Sequence, residues 1–169
     1  QACPVNFARR TCGSSPEVAF KQLAITGLVQ RIAEITNSEA STKSPTWKET
    51  NVEELYPFFG LFLLAGVLHE NKTRVCDLWS AKEGRPIFNS TISRNRFLEL
   101  LLYIRSDKRT DRNPQDKLSP FRNVFEEIVT KFRAVYYPEN ELTVDEQLVS
   151  FRGRCPFKVY IPSKPGRHG

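Results

Sequence analysis

Asp145 stands between Thr143 and Gln147, beside Glu146, where apolar and polar residues alternate from Leu142 to Leu148. A carboxylate on such a stretch could ligate a hard divalent cation such as Mg²⁺, which prefers oxygen donors and keeps several waters. On its own, the same group also suits a solvated or ion-paired position. Just downstream the charge balance changes. Residues 147–169 hold Arg152, Arg154, Lys158, Lys164 and Arg167 and no acid, a net of +5, against +1 for residues 1–146. Positive charge gathered in this way attracts polyanions, either nucleic acid or acidic lipid, and equally describes a solvated basic tail. Arg152 and Arg154 flank Gly153 at an expected turn, from which both could reach phosphates.

Other chemistries find little support. The four cysteines stand at 3, 12, 76 and 155, with gaps of 9, 64 and 79 that match neither a zinc site nor a CxxC pair. His69 and His168 are far apart in sequence and add no metal spacing. Reduced thiols are expected, with a Cys3–Cys12 disulfide left open. Gly166-Arg167-His168-Gly169 lacks the spacing and strand–helix setting of a phosphate loop.

The elements that must position these residues are mostly helical. Residues 1–15 mix Cys, Pro, Gly and Ser and read as a leader or linker. Ser15-Pro16-Glu17 is a helix-start signal, and apolar residues from Val18 to Ile35 follow at mostly helical spacing. The polar stretch from Asn37 to Lys48, with Pro45, reads as a loop. Thr50 and Glu53 have the spacing of a capping box ahead of Val52 to Leu68, which is apolar almost all round. Thr73 to Trp79 allows a short helix, and Ser93 to Ile104 a stronger one. Arg105 to Lys117 is a charged loop. Ser119-Pro120 opens a helix whose stripe, Phe121, Val124, Phe125, Ile128, Val129, Phe132 and Val135, repeats every three or four residues.

After Tyr137-Pro138 the period changes to two. Leu142 to Leu148 and Phe157 to Ile161 then predict two strands joined at Gly153 as an antiparallel hairpin, stopped by Pro162 and Pro165. The expected class is therefore α+β, a helical bundle followed by the start of a sheet. With 40% hydrophobic residues the chain can bury a core. Its longest apolar run, Pro57 to Leu68, is too short to span a bilayer, which takes about 20 residues. The sequence contains no Met, so Gln1 is not an initiator; a processed chain or a segment of a longer one is expected.

LTVDEQLVSFRGRCPFKVYIPSKPGRHG, residues 142–169, resembles the first catalytic block of piggyBac-type transposases and their domesticated relatives. TNVEELYPFFGLFLLAGV, SRNRFLELLLYIRSD and DKLSPFRNVFEEI resemble the helical region of the same family. The resemblance covers roughly residues 17–169. It implies a ribonuclease-H-like catalytic domain in which three acidic residues hold two divalent ions for DNA cleavage and strand transfer. Asp145 matches the first of those acids; the others, the rest of the sheet and a zinc-binding region follow the equivalent of residue 169 in relatives. The implied division is a leader at 1–15, a helical dimerisation and DNA-binding region at 16–137, and the first hairpin of an incomplete catalytic domain at 138–169. Mg²⁺, double-stranded DNA, a homodimer and a nuclear location are implied, with no membrane and no small-molecule substrate. Arg152, Arg154, Lys158, Lys164 and Arg167 would lie near bound DNA. With one catalytic acid, residues 1–169 are expected to lack transposition activity alone. The alternative is a domesticated, non-catalytic dimerisation or interaction module.

Overall fold

The computed structural model describes residues 15, 26–70, 72–135, 141–143, 145, 148–151, 153, 154 and 157–164. Helices α1 (Thr26–Lys43), α2 (Val52–Val67), α3 (Val75–Leu78), α4 (Pro86–Thr91), α5 (Arg94–Tyr103) and α6 (Ser119–Val135) follow in order, with a 3₁₀ turn at Arg109–Asp111. The chain divides into two compact units: Ala24–Lys108, and Gln1–Leu23 together with Arg109–Gly169.

In the first unit α1 packs on α2 and α5. Leu28, Val29, Ile32, Ala33, Thr36 and Ala40 recur three and four apart along α1 and are all buried. They meet Leu55, Phe58 and Leu61 of α2 and Leu100 of α5 in a common core; each fully buried Leu or Phe contributes about 1.5–3 kcal/mol. Phe97 is the aromatic centre, with Trp79, Phe58 and Phe62 at ring-centroid distances of 4.7, 5.2 and 5.3 Å. The indole N–H of the buried Trp79 donates to the Ile92 carbonyl at 2.9 Å, so its polar edge is satisfied.

The ends of α2 show how side chains set its limits. Asn51, rather than Thr50, caps the helix, its Oδ1 accepting from the Glu54 N–H at 2.9 Å. Thr50 is turned inward and buried, so the capping role passes to its neighbour. At the other end the Glu70 N–H returns to the Ala65 carbonyl at 2.9 Å and the His69 N–H to Gly66 at 3.1 Å, a Schellman closure. His69 occupies its left-handed position with φ 57°.

Asn37 lies within α1, which continues to Lys43, so the loop expected from Asn37 begins later. Its amide instead fastens the real loop. It donates to the Thr50 carbonyl at 2.8 Å and accepts from the Thr50 N–H at 2.8 Å and the Trp47 indole at 3.1 Å. Near α4, a Cβ on Gly84 would lie 2.4 Å from the Leu78 carbonyl oxygen, so the turn closes only around a glycine.

In the second unit α6 carries the expected stripe, yet none of its residues from Ser119 to Ala134 is buried. Phe121, Phe125 and Phe132 are all about half exposed.

The α+β expectation is corrected here. The described residues are helical and contain no strand; Tyr160 alone makes an isolated bridge. Alternation marks two faces but does not supply a partner or a layer to bury one of them. Leu142, Val149, Phe151, Phe157, Val159 and Tyr160 are all exposed, and a lone two-stranded hairpin is marginal without such cover. The expected helix start at Ser15-Pro16 and the strand positions Val144, Glu146 and Gln147 fall wholly or partly outside the described residues.

Candidate nucleic-acid interface

Asp145 projects a largely exposed carboxylate whose Oδ1 lies 3.6 Å from Lys164 Nζ. Lys164 ends a turn that runs from Ile161 through Pro162 and Ser163, closed by its own N–H donating to the Ile161 carbonyl at 3.2 Å. Lys158 Nζ donates to the Gly153 carbonyl at 3.4 Å, and Arg154 beside it is exposed. The Phe151 ring lies over Gly153, where a Cβ would approach Cζ to 2.5 Å. The structure thus brings Lys164 to Asp145 and Lys158 to the Gly153 turn. Arg152 and Arg167 lie outside the described residues. Such exposed cations suit phosphate oxygens, which are bound by charge without reading sequence.

The most connected charge lies in the helical unit and was missed in the sequence. Arg96 grips both Glu54 oxygens at 2.8 Å, Glu99 at 2.9 Å and the Lys48 carbonyl at 2.8 Å, with its guanidinium 4.5 Å from the Trp47 ring centroid. Burial opposes ionisation of Glu54, but hydrogen bonding to Arg96 and then to Thr50, with the Arg96 charge and a lesser pull from Lys48, holds its carboxyl below the usual range. Hydrogen bonding to Glu54 raises the Arg96 guanidinium in turn. With its donors occupied in this way, Arg96 ties α2 and α5 to the α1–α2 loop rather than facing a ligand. An open hollow of about 420 Å³ lined by Ser80, Ala81, Gly84, Pro86, Asn89 and Ser90 offers no titratable side chain.

A family profile described as transposase IS4 matches residues 15–169. Among solved structures, the chain resembles a piggyBac transposase seen by cryo-electron microscopy in a synaptic complex with hairpin DNA. The TM-score is 0.89 at 31% identity, over 100% of this chain and 37% of that one. This chain belongs to the piggyBac-type transposase family. The family resemblance read from residues 17–169 is borne out, and the transposase kinship covers both compact units. The chain spans about 37% of the length of the solved transposase.

Divalent metal is normal for DDE-type transposases, and Asp145 can be tested for it. An exposed carboxylate oxygen already facing a cation has the right donor chemistry for one ligand of Mg²⁺. Among the described residues no three His, Cys, Asp or Glu side chains gather where they could hold a metal ion. Asp145 therefore fits as a single ligand, and the described residues do not complete a site around it. No described helix is long and apolar enough to cross a membrane.

Proposed function

We propose that this chain binds double-stranded DNA in the nucleus as part of the cut-and-paste machinery of a piggyBac-type transposase. Arg152, Arg154, Lys158, Lys164 and Arg167 contact phosphates beside Asp145, and Asp145 is one carboxylate ligand of Mg²⁺. When bound, the metal supplies Lewis-acid stabilisation of the oxygens at the phosphate being cut. Asp145 contributes charge and one oxygen; the basic residues hold the backbone in register. The observation that carries this reading is the match of the entire chain to a transposase solved in complex with hairpin DNA. The run of cations following Asp145 supports it.

Duplex affinity measured against salt tests the reading. Five phosphate contacts give a log–log slope of about −4 to −5. Replacing the five cations by Ala should flatten that slope; an unchanged slope would sink the proposal.

The exposed stripe on α6 favours a second reading, self-association as a homodimer. A Phe125→Glu, Phe132→Glu variant should then sediment as a monomer while the parent sediments as a dimer. A monomeric parent would end this reading.

A further inference from the structure

We infer that the Gly153 turn is a stacking site for unpaired bases, in which the Phe151 ring takes a base while Lys158 and Arg154 take the phosphates beside it. The inference rests on the reading of these cations as phosphate contacts, and it names the form of DNA they favour, one whose bases are open.

Two independent contacts converge on Gly153. The far end of the Phe151 ring comes so close that a Cβ there would stand 2.5 Å from Cζ and 2.7 Å from Cε1. A residue without a side chain admits the ring, so the turn holds it in place. Lys158, five residues on, returns to the same glycine, its Nζ donating to the carbonyl at 3.4 Å. One ring and one ammonium thus share a single turn. The ammonium keeps two further N–H donors for a phosphate, and Arg154 next to the glycine is exposed. Phe151 is 48% exposed, and Phe157, beside Lys158 in sequence, offers a second ring at 49%.

A base inside a duplex is covered on both faces by its neighbours, so a protein ring reaches it only where that stack is broken. There, stacking on an aromatic ring is worth about five- to 150-fold in affinity per base and tolerates any sequence. Phosphate contacts alone make no such distinction between open and covered bases. Acidic lipid is the other polyanion that rings and cations suit. An interfacial lipid-binding helix sets its apolar and basic residues on separate faces. Here ring and cation meet at one glycine, outside every described helix.

Fluorescence anisotropy of residues 1–169 with three labelled probes tests the site. The probes are an oligothymidylate of about 15 nucleotides, a strand of equal length with abasic sites in place of bases, and a blunt duplex. The parent should bind the intact strand at least about fivefold more tightly than the abasic one, which carries the same phosphates. Phe151→Leu keeps the apolar bulk but not the ring face; it should remove most of that difference and leave duplex affinity unchanged. Gly153→Ala, whose methyl must displace the ring, should act in the same way. Lys158→Gln should weaken all three probes alike.

The intact-against-abasic comparison uses the parent alone, so it decides even where a variant fails to fold. Equal affinity for those two strands would overturn the stacking site, and a persisting salt slope on duplex would leave the phosphate contacts standing. No binding to any probe would overturn both readings. Binding to phosphatidylserine vesicles that falls in Phe151→Leu, with its strand affinities unchanged, would assign the ring to lipid and overturn the inference.

Discussion

Arg96 holds Glu54 through both of its carboxylate oxygens, each at 2.8 Å, across 42 residues of sequence. Only 12% of the arginine side chain is exposed, so this fork is largely withdrawn from water. Removing the guanidinium takes away the hydrogen-bonding partner of Glu54 and Glu99, leaving only the Lys48 charge near Glu54, and strips the Trp47 ring of its cover. Arg96→Ala should destabilise the chain by about 2–4 kcal/mol, below the upper range for fully buried pairs. Arg96→Lys keeps the charge but loses the fork and should recover only part of that loss. Urea denaturation of both variants checks the order.

Asp116 gives a pH signature at the start of α6. Hydrogen bonding from Arg122 holds its carboxyl down, to about 2 from an ordinary 3.8. The unfolded chain therefore binds a proton that the folded chain refuses. This contribution is fully present above pH 3.8 and is lost as pH falls toward 2. Asp116→Asn should flatten the stability profile across that window, measured by thermal melts at several pH values, with a lower melting temperature than the parent near neutrality and convergence with it toward pH 2.

His69 sits where the Schellman closure asks for glycine. Its left-handed backbone, φ 57°, crowds a Cβ against the following carbonyl. His69→Gly should stabilise the chain by about 1 kcal/mol. A melting temperature that falls would show that the His69 side chain makes a contribution larger than this strain.

Purified residues 1–169 should show no Mg²⁺-dependent nicking of DNA carrying terminal inverted repeats. One carboxylate does not position two ions. Nicking by the parent that disappears in Asp145→Asn would reverse this expectation.

The helices were legible where a 3.6-residue stripe, as in α5 and α6, or a continuous apolar run, as in α2, followed a helix-start signal. Their exact ends were less so. Asn51 and Thr50 are comparable caps, and only the inward turn of Thr50 decides between them. Short α4 went unread although Pro86 stands at its first turn, because six residues carry too little periodicity. The strands were over-read for a physical reason: alternation is local, while pairing depends on a partner and on a layer that buries one face. Apart from Glu99 three residues on, the contacts of Arg96 are 42 and 48 residues away, so sequence spacing does not disclose the cluster. Asp145 stood out only through the resemblance of its surrounding block, since spacing alone gives a single acid no role.

The buried Thr36 hydroxyl accepts from the Arg105 N–H at 3.0 Å, 69 residues along the chain and just past the end of α5. That bond makes Thr36 an anchor against pulling. Tension arriving along the backbone from the charged linker meets α1 at this point before it can peel the last turn of α5. The helical unit would thus resist such a load in shear across two helices, instead of unzipping one from its end.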